Sequence, residues 1–266
     1  LSWLGVDIST QELNELYRER YDYGPPEERR FIGIRRAVGS WLRRGESILL
    51  DEARGTILDY GAGQGGLLRL LKMRGHDPVA TDISDEACAN LSAQGFKVIP
   101  LDELHSDQHA GTFDTIILSH VLEHLAQPEQ ELAKLKTLLK PRGRLLIAVP
   151  NGGSFYRRAF GRYWNGYHVP FHLFTFREAN LRKLLGSSGF IVDRCAFATP
   201  YHFPAISFAS FLRRKRMDGT SIEKTFVMQN PSRVLLGLVL LLPSLPLSRQ
   251  KQDCLYLVAH SSEGAL

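Results

Sequence analysis

Between Ile57 and Leu71 the chain reads ILDYGAGQGGLLRLL: an apolar run, an acid, four glycines within six residues, then a helical rhythm. Glycines at this density admit a close approach to the backbone and leave amides turned outward. Gly61, Gly63 and Gly65 supply the turn, with Ala62 between them, and Asp59 stands two residues before it. The Lys-Ser/Thr ending of a P-loop is missing, so the loop is not built for a triphosphate. Gly61, Gly63 and Gly66 also satisfy a G-x-G-x-x-G pattern, which keeps a nicotinamide cofactor in view. Asp82 ends the next apolar run, and a carboxylate there can accept from both hydroxyls of a ribose, whichever cofactor carries it.

The elements that must hold these residues follow from the pattern around them. From Thr56 onward short apolar runs alternate with helical stretches. TILDY, PVATD, KVIP, FDTIILS, RLLIAVP, FIVDRCAFA and CLYLVAH read as seven strands. Helices are expected over 65–74, 85–94 with Ser84 as cap, 128–139 and 177–187. Such alternation predicts a doubly wound, mostly parallel sheet. Residues 1–55 read as polar helices, one over TQELNELYRERYDYG and one over ERRFIGIRRAVGSWLRR, whose apolar residues recur every three or four positions. With 266 residues and 44% hydrophobic content, one large domain with an insert is expected. The net charge of +5 is mild and does not by itself call for nucleic acid. Cys88, Cys195 and Cys254 are far apart without a C-x-x-C, which argues against a disulfide framework and for a reducing, cytoplasmic setting. The first ten residues show no leader pattern.

The wording around the glycine loop is more specific than the loop. DYGAGQG resembles the first motif of the Rossmann-like, S-adenosylmethionine-dependent methyltransferases. FDTIILSHVLEHLAQPEQELAKLKTLLKPRGRLLIAVPN, residues 113–151, is similar to the fourth strand, helix and fifth strand of that superfamily, with Arg142 where glycine is commoner. FHLFTFREANLRKLLGSSGF resembles the helix and strand that follow. The resemblance implies an α/β fold with seven strands in the order 3-2-1-4-5-7-6, the last antiparallel. It implies S-adenosylmethionine as cofactor, with Asp59, Gly61, Ala62, Gly63 and Gly65 beneath its methionine end and ribose. Asp82 would hold the ribose, Ile83 would pack on adenine, Asp102 would contact adenine, and Ser119 would be a further cofactor-binding residue.

Methyl transfer to oxygen requires that a proton leave the acceptor, so a nearby base is expected. His120 follows the fourth strand, where the methyl group should lie, and His168 and His172 occupy the loop after the fifth. Each has an alternative role as a hydrogen-bonded packing residue. Glu123 and His124 read as residues that order the loop and helix start. With Glu129 they could bind a metal, but no third ligand has a diagnostic spacing and no metal is expected. The aromatic stretch from Phe155 to Phe171 reads as core or as the wall of an acceptor pocket. A small molecule is the expected acceptor: a hydroxyl on a sugar, lipid-linked or quinone-like compound, with no nucleic acid. RNA or protein methylation, and a non-catalytic cofactor-binding subunit, are the competing readings.

The domain expectation is a helical lid over 1–55, with Tyr17, Tyr21 and Tyr23 facing the pocket, and a methyltransferase domain over 56–266 with an insert at 199–253. The insert contains VLLGLVLLLPSLPL, 14 uncharged residues that include Pro243 and Pro246. A membrane span needs about 20. A buried helix and a peripheral membrane contact through 200–250 are the two readings of it.

Overall fold

The computed structural model describes residues 2–3, 12, 44–200, 202–213 and 249–262. Residues 28–43 of the expected helix over ERRFIGIRRAVGSWLRR, the three N-terminal tyrosines and the 14-residue apolar run lie outside the described residues.

Seven strands form one sheet: β1 Ile57–Tyr60, β2 Val79–Thr81, β3 Lys97–Val98, β4 Phe113–Ser119, β5 Leu139–Pro150, β6 Phe190–Ala198 and β7 Cys254–Ser261. Their order is 3-2-1-4-5-7-6, as expected. Strands β1 to β5 run parallel, and β7 lies antiparallel between β5 and β6. A two-residue strand, Ser2–Trp3, pairs separately with Phe174–Thr175.

The central strands are apolar on both faces because helices cover both. Ile116, Leu118, Leu145, Ile147, Val149, Leu255 and Leu257 point into one buried cluster. It is closed by helices α5 Pro128–Leu138 and α7 Glu178–Ser187 through Leu132, Leu135, Leu181 and Leu185. The alternate residues Ile117, Leu146, Ala148, Tyr256 and Val258 point into the other. Helices α1 Arg44–Glu52 and α2 Gly66–Met73 close that face with Leu49, Leu50 and Leu71. This period-two split of one apolar run is what a strand buried on both faces requires. Helix α1 therefore belongs to the core, although it falls within the segment expected to be a lid. Helix α3 Asp85–Ala93 packs on β2 and β3, and the short helix α4 Leu101–Leu104 follows β3. The Ser84 hydroxyl caps α3 by accepting from Ala87 N at 3.2 Å.

Two segments differ from expectation. The aromatic stretch contains helix α6 Phe155–Phe160, capped by Ser154 Oγ accepting from Arg157 N at 2.9 Å. Strand β5 begins at Leu139, five residues before the apolar run that marked it, because Leu139 pairs with Phe113 across a bulge. Between these pairings Arg142 takes φ +64. A side chain there meets the left-handed penalty of about 1–2 kcal/mol that glycine escapes. Arg142 is exposed, so its removal forfeits little packing. Arg142→Gly is expected to stabilise the protein by up to about 1 kcal/mol, after the added freedom of the unfolded chain is subtracted. Denaturant titration measures this, and a destabilised variant would refute the strain argument.

The first part of the insert is helix α8 His202–Arg213. Phe203, Ala205, Ile206 and Ala209 are buried, and Ser207 Oγ accepts from Asn165 N at 2.9 Å. Phe211 and Leu212 are 48% and 63% exposed at its far end. No described helix is long and apolar enough to cross a membrane.

Candidate active site

The sheet order reverses between β1 and β4, and the expected site residues gather at the C-terminal ends of the strands there. That is the crevice where open α/β sheets bind ligands. The loop leaving β1 is tied to β2 by Gly61 N and Ala62 N, which both donate to Thr81 O at 2.9 and 3.0 Å. Gly61, Gly63 and Gly65 have φ of 76°, 52° and 75°. A Cβ on Gly61 would come within 2.6 Å of Val121, and one on Gly65 within 2.7 Å of Leu91. Gly66 has ordinary φ and open space around it. The structure thus requires glycine at 61, 63 and 65 and not at 66, which removes the support that Gly66 lent to the G-x-G-x-x-G reading.

Asp82 holds the loop in place. Its Oδ2 accepts from Gly63 N at 2.8 Å and its Oδ1 from Ser84 N at 2.9 Å. Two of the carboxylate's acceptor positions are thus taken by backbone amides of the loop and of the α3 start. Asp59 lies deeper, and its Oδ2 is buried with no hydrogen-bond donor among the described residues. Burial, with the Asp82 charge adding to it, pushes the Asp59 carboxyl up to about 7. An orphaned acid beside an outward-facing loop suits a cationic cofactor, whose ammonium group would supply the missing donor. Ile83 is half-buried in the Phe171–Leu173 cluster, and Ser119 ends β4. Asp102 is an exposed residue of α4 whose Oδ1 accepts from Glu103 N at 3.1 Å, so it serves that helix start.

The three candidate bases are not equivalent. His120 is partly open, with its own N donating to Ala148 O at 2.9 Å and φ at +59. A non-glycine residue held in that region is strained, and such strain collects at functional positions. His120 Nδ1 lies 3.4 Å from Glu123 Oε1, and the Phe203 ring of α8 is 6.0 Å away. His168 and His172 pack edge to face 5.0 Å apart. Burial pushes His168 down to about 4 and His172 well below its usual range. His172 Nδ1 is 2.8 Å from Gly166 O, and Gly166 has no room for a Cβ because the Trp164 ring lies 2.3 Å from where it would sit. Trp164 Nε1 in turn donates to Asp253 Oδ1 at 3.0 Å. The aromatic stretch is therefore partly core, with Tyr156, Trp164 and Phe171 buried. A small recess of about 20 Å³ beside Tyr163, Tyr167 and His168 admits a water-sized group.

Asp253 was not singled out by sequence, since an acid before a strand carries no signal of burial. Burial pushes its carboxyl up to about 7. The folded state therefore holds this proton between about pH 4 and 7 while the unfolded state has released it. The stability tied to that proton is complete below about pH 4 and is lost as pH rises through 7. Asn keeps the acceptor for Trp164 and cannot ionise. The stability of Asp253→Asn relative to wild type is expected to rise by roughly 2–4 kcal/mol across that window. The difference cancels the opposing contribution of the buried histidines. Denaturation of both proteins at several pH values checks it, and a pH-independent difference would contradict it.

Residues 32–194 match the family model described as a methyltransferase domain, which is more than half of the chain. The ubiquinone biosynthesis O-methyltransferase of Acinetobacter baumannii (strain AYE) is 30% identical over 104 residues, 36% of this chain and 44% of that protein. The demethylmenaquinone methyltransferase of Thermus thermophilus is 31% identical over 136 residues, 46% of this chain and 62% of that protein. The match thus spans about half the length of these curated relatives. A SAM-dependent methyltransferase from Archaeoglobus fulgidus has the same fold, with TM-score 0.55 and 20% identity over 85% of this chain and 94% of that one. The chain belongs to the methyltransferase-domain family, within the Rossmann-like superfamily that uses S-adenosylmethionine, and S-adenosylmethionine is its cofactor.

Proposed function

We propose that this protein methylates a hydroxyl of a small, quinone-like acceptor, with His120 as the base. Bound S-adenosylmethionine supplies an electrophilic methyl group. Asp82 and the amides around Gly63 hold it, and Asp59 receives its cationic end. His120 turns Nδ1 toward Glu123, which leaves Nε2 to take the proton from the acceptor hydroxyl. That orientation, at the mouth of the glycine-loop crevice, is the observation that carries the reading. His168 and His172 shape the wall behind it. The names of the two relatives, one acting in ubiquinone biosynthesis and one on demethylmenaquinone, support a quinone-like acceptor over a sugar.

The test is transfer of label from S-adenosylmethionine to separated pools of prenylated phenols, sugars and RNA. Label in a phenol pool supports the reading. Label in RNA alone overturns the acceptor class, and no transfer to any pool favours a non-catalytic cofactor-binding subunit.

A further inference from the structure

Glu123 stands at the centre of a cluster that proton removal by His120 does not fully explain. Its side chain is wholly buried, and neither carboxyl oxygen receives a hydrogen bond from a described residue. Such a group costs more buried than exposed unless something compensates it. Glu123 Oε1 lies 3.8 Å from His172 Nε2. His172 Nδ1 faces Gly166 O at 2.8 Å, and a carbonyl oxygen only accepts, so Nδ1 carries the hydrogen. Nε2 then presents a lone pair. Two acceptors thus confront each other across 3.8 Å, an arrangement that a cation between them makes attractive. His124 is the third member. One ligand atom from each of Glu123, His124 and His172 lies within 4.8 Å of the others.

We infer that Glu123, His124 and His172 form a site for one divalent first-row transition ion, zinc or manganese in class. Two imidazoles and a carboxylate match such ions, whereas magnesium and calcium favour all-oxygen sets. Ligands about 2.0–2.2 Å from one tetrahedral ion stand roughly 3.3–3.6 Å apart, so ligand atoms now within 4.8 Å of one another would close by up to about 1.5 Å through side-chain rotation. The rings are already oriented: His172 by Gly166 O, and His124 by Phe171 O, 3.2 Å from its Nδ1. Carbonyl contacts of this kind set the tautomer and direction of metal-binding histidines. Leu173 N donates to Glu123 O at 2.8 Å, which ties the loop carrying His172 to the segment carrying the other two. Three protein ligands leave a coordination position open. If the acceptor reading above holds, the ion would help the acceptor hydroxyl lose its proton to His120. The ion site itself does not depend on that reading.

The experiment uses the full chain, stripped with a chelator and titrated calorimetrically with zinc chloride and with manganese chloride, without cofactor or acceptor. One equivalent is expected to bind and to raise the melting temperature. Glu123→Gln keeps the shape of the side chain, so it should fold, and is expected to lower the affinity by about a hundredfold or more, beyond what loss of an outer contact costs. His172→Ala should do the same, whereas the exposed Glu129→Gln should bind as wild type. Absence of one-to-one binding of either ion, or equal affinity in wild type and Glu123→Gln, would overturn the assignment. Because no turnover is measured, its failure is separate from failure of the methyl-transfer reading.

Discussion

His120→Gly is expected to melt higher than wild type and to turn over about 10²–10⁴ times more slowly. The two effects have one origin. His120 is held at φ +59, where a residue with a Cβ is penalised by about 1–2 kcal/mol. Glycine removes the penalty but enlarges the unfolded ensemble, so the net gain is about 1 kcal/mol or less, or about 2–4 °C. The lost imidazole is the group that takes the acceptor's proton in the proposed reaction. His120→Ala separates the contributions, because alanine loses the base and keeps the strain. It should be as slow as the glycine variant without the gain in stability. Cofactor affinity should stay near wild type in both. Near-native turnover of both variants on an identified hydroxyl acceptor would mean that alignment alone suffices.

Asp82→Ala is expected to weaken S-adenosylmethionine binding by roughly 1.5–3 kcal/mol, about 10- to 150-fold. The carboxylate is doubly placed to matter. It is the carboxylate that the family resemblance assigns to the ribose, and it pins Gly63 N and Ser84 N at 2.8 and 2.9 Å. Its removal loosens the glycine loop and the start of α3 together. Gly63→Val should be worse. At φ 52° a β-branched residue is a strained occupant, and the loop must move to relieve it. Calorimetric titration with cofactor, alongside a folding check by circular dichroism, gives the answer. Wild-type affinity in both variants with the fold intact would detach the cofactor from this loop.

Much of this architecture is legible from local pattern. Strands β4 and β6 begin and end where their apolar runs do, and Ser84 caps α3 as its type and place suggest. The order of the strands came from resemblance, since periodicity cannot say which strand neighbours which. Asp59, Asp82 and the glycines were legible because one loop and the next strand end carry them all. The cluster around Glu123 was not. Its partner His172 arrives through a loop shaped by Gly166 under Trp164 and by Trp164 on Asp253, contacts that span up to 89 positions. Nor could spacing separate the histidines. His120 differs from His168 and His172 in exposure and in what its ring nitrogens face, and both are products of tertiary packing. Arg142 was visible as a departure from a commoner glycine, and its positive φ supplies the reason.

The place of β7 bears on how the protein is made. It lies between β5 and β6, yet it is the last of the seven strands to be synthesised. Until residues 254–261 leave the ribosome, β6 has no sheet neighbour and β5 has one bare edge. A nascent chain must therefore keep two unpaired strand edges apart across the whole insert. Pairings so distant in sequence form slowly, and open edges invite association with other chains. A chaperone that holds the emerging chain, or slow translation after residue 198, would then favour correct closure. A chain truncated before Cys254 would yield an aggregating product even though every residue at the glycine loop is present.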